Sequence, residues 1–374
     1  MVNKTIKSID IVTVIKVAGA FIALLIGSGF ATGQEVMQFF SAYGLMGILG
    51  AVITLALFVY STHAFIKLGM EKGIVKNEDV FKYYLGKWVG TGLSWYTMIF
   101  IVTVFAIMLS GAGATLNQSY GIPLYMGSAI MAVLTTGTIL LGLNKLIDIV
   151  GILGPVIIIL TIFIAIATIF KNPLGIIEGN AVVGSLEMYR ASSNWWKSSI
   201  LYVGMNILGL ASFIPSLGKL LKNKKEVIAV SILGPALFVK ALILVALALL
   251  SDIVIVNQSA IPVLTLANGV LPIFKTIFAA IIFLGIYTSA TSLLWTVIAR
   301  FSEEKTKKYT ILTLTLGAVG FFGGNILPFA QLVNIIYPTV GYVGLLVLIG
   351  IIVKDVSSSE VKKTKDTAKI KEGI

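Results

Sequence analysis

The chain is 374 residues long, 57% hydrophobic and 12% charged, with a mean hydropathy of +1.00, and apolar windows of 18 residues or more recur from end to end, which makes it a polytopic helical membrane protein. Its net charge of +12 does not point to a nucleic-acid partner, because the lysines fall in short segments between apolar runs, where they set topology. Cysteine is absent, which excludes disulfides, thiolate metal sites and iron–sulfur clusters.

Met1 to Asp10 is short and holds Lys4 and Lys7. The apolar run behind it is too long for a signal-peptide core and lacks a small-residue cleavage pattern, so it is expected to be kept as the first span. A spanning helix needs about 20 residues, which gives about ten spans, at roughly 12–40, 44–69, 90–115, 123–143, 146–170, 195–219, 226–250, 275–300, 309–327 and 329–353. The connecting segments then alternate in charge. One side collects Lys4 and Lys7, the five lysines from Lys67 to Lys87, Lys145, the cluster Lys219, Lys222, Lys224 and Lys225, the group from Arg300 to Lys308, and the tail from Lys354 to Lys371. The other holds Lys171, Arg190, Lys197 and Lys275. By the positive-inside rule the first side is cytoplasmic, with both termini inside a cell (cytoplasmic) membrane.

The resulting organisation is a cytoplasmic N-terminus (1–11), a first group of five spans (12–170), an external connection (171–194), a second group of five (195–353) and a basic cytoplasmic tail (354–374). Between the second and third spans, Glu71 to Trp88 is expected to form a short helix along the membrane surface, with Phe81, Tyr84, Leu85 and Trp88 on one face. Asp252 to Leu271 is apolar but interrupted by Pro262, Asn268 and Gly269, and reads as a loop folded over the external mouth, a lid rather than a span. The tail from Ser357 to Ile374 has no apolar periodicity and reads as a disordered or lipid-surface segment.

The most informative run is Gly27-Ser28-Gly29-Phe30-Ala31-Thr32-Gly33-Gln34-Glu35, in the middle of the first span. Each glycine costs a helix about 1 kcal/mol relative to alanine, and backbone groups released in hydrocarbon must find other partners. Three glycines followed by an amide and a carboxylate therefore describe a span opened so that N–H and C=O groups face a ligand. The sixth span carries a second candidate break at Gly204-Met205-Asn206-Ile207-Leu208-Gly209. Five spans invert the second half relative to the first, so the pattern reads as a five-plus-five inverted repeat with discontinuous first and sixth helices, enclosing a central site. The alternative for both runs is that small residues merely let helices approach, as a Gly29/Gly33 pair would.

These features resemble the amino acid–polyamine–organocation (APC) superfamily of secondary transporters with the LeuT-type fold, and the Gly27-x-Gly29-x-x-x-Gly33-Gln34-Glu35 form looks most like the YkvI-like amino-acid permeases. The resemblance implies a Na+ site formed by the carbonyls of Ala23 and Ile26, the carbonyl of Thr288 and the hydroxyls of Thr291 and Ser292, with Na+ as the coupling ion and no other cofactor. Neutral oxygen ligands suit a hard cation, although serine and threonine in membrane helices also bond their own backbone. The lysine that replaces the ion on the fifth helix of some sodium-independent relatives has no counterpart between Asp148 and Phe170.

The substrate site is expected between the two breaks. A solute carboxylate would meet the amides at Gly27, Ser28 and Gly29, and an ammonium the carbonyls of Gly204 and Met205, with the Asn206 amide beside them. Phe105 and Met108 would form an apolar wall and Tyr287 an external gate. The implied function is secondary active transport, by alternating access, of a small organic solute such as an amino acid or related zwitterion. Proton coupling through Glu35 or Lys240 is the alternative; His63 and Asp148 are further ionisable groups near the spans, and Lys240 also reads as part of an internal ion pair. Glu35 reads equally as a brace for the second half-helix. An enzyme is not expected, since the only histidine is isolated and no catalytic set is present; a non-transporting solute sensor on a permease fold stays open. The partners are a small solute and membrane lipid, and oligomeric state is not legible.

Overall fold

A computed structural model describes residues 9–141 and 146–372, with the side chains of Ser28, 146–155 and 358–372 outside the description. The expectations for Lys145 and for the Asp148 carboxylate therefore lie outside the described residues. The helices run, in order, α1 (Ile11–Leu25), α2 (Ser28–Thr32), α3 (Gln34–Phe39), α4 (Leu45–Lys72), α5 (Asn77–Tyr120), α6 (Leu124–Leu141), α7 (Leu146–Lys171), α8 (Gly175–Val182), α9 (Trp195–Gly218), α10 (Lys224–Ser251), α11 (Ile253–Val256), α12 (Pro262–Val270), α13 (Pro272–Phe301), α14 (Lys307–Gly324) and α15 (Phe329–Glu372). No strand occurs among the described residues.

Seven of these helices are individually long and apolar enough to cross a membrane, among the described residues. The expected spans also include the broken first span α1–α3, α7, which bends by 92° into α8, and α14, whose 18 residues open on Lys307 and Lys308. The order is five spans (α1–α3, α4, α5, α6, α7), the α8 connection, and five more (α9, α10, α13, α14, α15). The lysine-rich loops gather at one end of the bundle, called the basic end below; α8, α11 and α12 belong to the opposite end.

Helix α9 packs most extensively against α4 and α15. Lipid offers no hydrophobic drive between apolar helices, so such contacts depend on close backbone approach at small residues. A β-carbon on Gly69 of α4 would overlap the Pro215 carbonyl of α9, and one on Gly218 the Ile66 carbonyl. Buried aromatic rings fill the remaining space. Phe58 of α4 lies 5.9 Å from Phe21, 6.0 Å from Phe238 and 6.2 Å from Tyr202, ring centre to ring centre.

Three expectations change. α9 is one continuous helix from Trp195 to Gly218, so the sixth span is not interrupted at Gly204–Gly209. The reason is packing: a β-carbon on Gly204 would overlap the Gly341 carbonyl of α15. The surface helix before the third span is present as the first leg of α5, which turns at Gly86 (φ 79°, ψ 173°), a left-handed backbone that glycine tolerates. That leg folds back so tightly that a β-carbon on Gly90 would sit 2.5 Å from the Lys82 nitrogen. Its Phe81 is fully buried while Trp88, beyond the kink, is 85% exposed, so the four aromatic and apolar residues do not share one face. Of the two readings of the C-terminal tail the disordered one is replaced, because α15 continues as helix to Glu372.

Candidate functional site

The first span is broken as the glycine run anticipates. Helix α1 ends at Ile26 (φ −87°, ψ 80°), whose N–H donates to Ile22 O, and Gly27 is extended (φ −93°, ψ −171°) before α2 begins. The carbonyls of Ala23, Leu24, Leu25 and Ile26 are consequently left without helical donors, and the first-turn amides of α2 without helical acceptors. With only five residues, α2 adds little macrodipole; the orphan groups themselves are the polar resource. Gly33 (φ 84°) then separates α2 from α3. Its β-carbon would come 2.6 Å from Val263 of α12, so glycine is needed there both for the left-handed turn and for the approach of the covering helix.

Rings and one carboxyl hold the break in place. Below it Phe21 packs on Phe58, and above it Phe30 packs on Phe238 at 5.4 Å. The Tyr202 ring of α9 lies 5.3 Å from Phe39 and 5.0 Å from Phe40. Glu35, in the first turn of α3, folds back so that one carboxyl oxygen abuts Gly29, beside the ring of Tyr337. The Tyr202 hydroxyl faces the same carboxyl. The sequence reading assigned no role to Tyr202 or Tyr337; the one available signal was a tyrosine two residues before Gly204.

At the end opposite the lysines the bundle is covered. The Gln118 side chain of α5 clasps Ile261, donating to its carbonyl at 3.0 Å and accepting from its N–H at 2.8 Å. Gln34 Nε2 donates to Ser259 O at 3.2 Å. A ladder of amides continues across α3 and α15: Gln38 Nε2 donates to Gln34 Oε1 at 3.0 Å and to Ala330 O at 2.8 Å, while Asn334 Nδ2 donates to Gln38 Oε1 at 3.2 Å. The segment read as a lid is thus seated on the broken span by Gln34 and on α5 by Gln118, and Lys171 of α7 donates to its Gly269 carbonyl. Of these amides the sequence pattern singles out Gln34 alone; nothing local distinguishes Gln38, Gln118 and Asn334 from surface amides.

The sequence-predicted residues do not all converge. Gly27 borders open space, as does Gly209, and the backbone of Ser28 and Gly29 forms the start of α2. Gly204 is used for helix packing, Met205 is buried, and Asn206 Nδ2 donates to Tyr202 O of its own helix at 2.9 Å. Phe105 is fully buried against the Gly320 position of α14, Met108 is buried, and the Tyr287 hydroxyl pairs with Thr138 Oγ1 of α6 at 2.6 Å, so neither Phe105 nor Tyr287 turns towards the break. Among the sodium candidates, Ile26, Thr288 and Thr291 are buried, whereas Ala23 and Ser292 are exposed. Thr291 donates to Tyr287 O at 2.7 Å and Ser292 to Thr288 O at 2.9 Å; each hydroxyl spends its proton on its own helix and keeps oxygen lone pairs free for a cation. Helix α1 packs mainly on α10 and α9, and α13 mainly on α5, α12 and α7, so these five residues are not closed into one shell. Lys240 lies on the exposed face of α10, and His63 is half-buried on α4. No cluster of three or more metal-ligating histidine or acidic side chains occurs among the described residues.

Two groups of five spans, with the first span opened partway and a helical cover seated on the opening, match the LeuT-type fold of multi-pass membrane proteins. The chain is 15% identical to MhsT in complex with L-phenylalanine, with a TM-score of 0.60 over 88% of this chain and 87% of that one. To Mhp1 in its inward-facing conformation it is 14% identical, with a TM-score of 0.59 over 90% of this chain and 75% of that one. In sequence it is similar to the protein YyaD of Bacillus subtilis (strain 168), 23% identical over 329 residues covering 87% of this chain and 92% of the relative. It is likewise similar to the membrane protein YkvI of the same organism, 22% identical over 348 residues covering 88% and 92%. No family model matches the chain.

Proposed function

We propose that this protein is a secondary active transporter for a small organic solute, an amino acid or related zwitterion, driven by Na+ and working by alternating access. The observation that carries the reading is the open backbone between Ile26 and Ser28, which leaves unspent carbonyls and amides partway along the first span, next to a seated cover. A membrane helix gains nothing from such an opening unless a ligand completes it. The L-phenylalanine bound by MhsT supports the amino-acid class.

In this reading the basic end faces the cytoplasm, both termini are cytoplasmic, and α12 covers the external mouth. The solute's carboxylate meets the amides at Ser28 and Gly29. Na+ is held by the Ala23 and Ile26 carbonyls together with Thr288, Thr291 and Ser292 once α1 and α13 close on one another. The fold family moves solutes across the bilayer rather than transforming them, so no chemical catalysis is assigned. Reconstituted protein should take up at least one of the twenty radiolabelled amino acids saturably, and faster with an inward Na+ gradient than with K+. Absence of saturable uptake across that panel overturns the proposal.

A further inference from the structure

Glu35 is 5% exposed, and among the described residues no cation pairs with it. The described ion pairs, Lys82–Glu78, Lys222–Asp10 and Arg300–Glu78, all lie at the basic end. Its Oε1 has no hydrogen-bond partner, and the Tyr202 hydroxyl that faces the carboxyl completes no regular hydrogen bond either. The second oxygen abuts Gly29, in the space a β-carbon would take, and a Tyr337 ring carbon lies 3.2 Å from the same position.

The elements packed against α3 are α2, α9, α10, α15 and the turn at residues 41–43. From α9 the titratable group facing the carboxyl is Tyr202, and from α15 it is Tyr337. From the turn, Tyr43 is engaged with Ser192 instead. On α10, Lys240 lies on the outer face and Glu226 is tied to residues 222 and 223 at the basic end. An ionised carboxylate in this box would be a buried charge without a counter-ion, which is strongly disfavoured. A proton bound to the carboxyl itself removes that charge.

We infer that Glu35 is a proton-binding site, so that the carrier takes up and releases a proton, in addition to Na+, as the broken span opens and closes. The inference rests on the transporter reading for its role in coupling, but the proton site itself does not. One O–H bond forms on a carboxylate oxygen at the expense of a hydronium ion, and the same proton returns to water when α12 lifts and α3 is hydrated. Nothing else changes covalently. Because Glu35 bears on Gly29, the charge state of the carboxyl acts directly on the backbone proposed to hold the solute.

Infrared pH-difference spectra of the full-length protein in phosphatidylethanolamine/phosphatidylglycerol vesicles test the site without any solute. A carboxylic C=O band that appears with acid should be lost in Glu35→Gln and displaced in Tyr202→Phe, which keeps the acid but changes its neighbour. Spectra identical in wild type and both variants overturn the inference. With the twenty amino acids added singly to vesicles holding a pH-sensitive dye, the transported one should acidify the lumen in wild type. In Glu35→Gln the acidification per amino acid taken up should be lost. Acidification unchanged in Glu35→Gln also overturns the inference. If no amino acid moves at all, the transporter reading fails, while the infrared band still decides the proton site.

Discussion

Gly204 of α9 lies so close to Gly341 of α15 that a β-carbon on the first would overlap the carbonyl oxygen of the second, and Gly344 abuts the Gly204 carbonyl in turn. A backbone carbonyl cannot rotate away as a side chain does. Gly204→Ala should therefore destabilise by about 1 to 3 kcal/mol through overpacking, read as an earlier thermal unfolding transition in detergent. Gly209, with nothing within 4 Å of its β-position, is the control: Gly209→Ala should be neutral or gain up to about 1 kcal/mol of helix propensity.

Gly29 is different, because the atom occupying its β-position belongs to the end of the flexible Glu35 side chain. Gly29→Ala should fold with a wild-type transition yet bind solute weakly, since the displaced carboxyl disturbs α2. Gly29→Leu should abolish uptake by filling the opening. Normal uptake by the leucine variant would remove the broken span from the mechanism.

Replacing Thr291 and Ser292 together by alanine removes two side-chain hydroxyls and only their intrahelical bonds, to Tyr287 O and Thr288 O. Folding should be preserved and the stimulation of uptake by Na+ lost. Unchanged Na+ stimulation would show that the ion does not sit there.

Gln118 anchors the covering segment through Ile261 and Thr265. Each such bond is worth about 1 kcal/mol net, so Gln118→Ala should raise the population of the lifted cover about tenfold or more. The native chain has no cysteine, so Val263→Cys provides a single thiol under that cover. Its labelling by a membrane-impermeant maleimide from the α12 side should accelerate in the Gln118→Ala background; equal rates in both backgrounds would show that the clasp does not hold the cover.

At the basic end, Asp10 caps α1. The Thr13 N–H donates to its Oδ1 at 3.1 Å and Lys222 Nζ lies 3.3 Å from Oδ2. These contacts, the Thr13 bonds foremost, hold its carboxyl below the usual carboxylate range. A carboxyl lowered on folding adds stability that is present above its unfolded value and lost as pH falls through its folded one. The unfolding temperature should thus drop as pH falls below about 4, and less steeply in Asp10→Asn. Parallel wild-type and variant curves would exclude the cap as a contributor.

Periodicity, charge alternation and the Gly27–Gly33 run were sufficient to read the helical class, the approximate spans, the break in the first span and the covering segment, because each follows from local cost. Hydrocarbon demands about 20 apolar residues per crossing, and glycines at successive turns are expensive unless the backbone is wanted open. The same rule misjudged Gly204, since one glycine serves equally for a break and for close approach, and only the position of Gly341 decides between them. Likewise Phe105 and Tyr287 face α14 and α6 because of how α5 and α13 are rotated in the bundle, a quantity that no local pattern encodes. Only the tertiary structure brings Tyr202 and Tyr337 to Glu35, or Gln118 to Ile261. These contacts join residues more than a hundred positions apart, and their existence depends on packing geometry rather than on the chemistry of either residue alone.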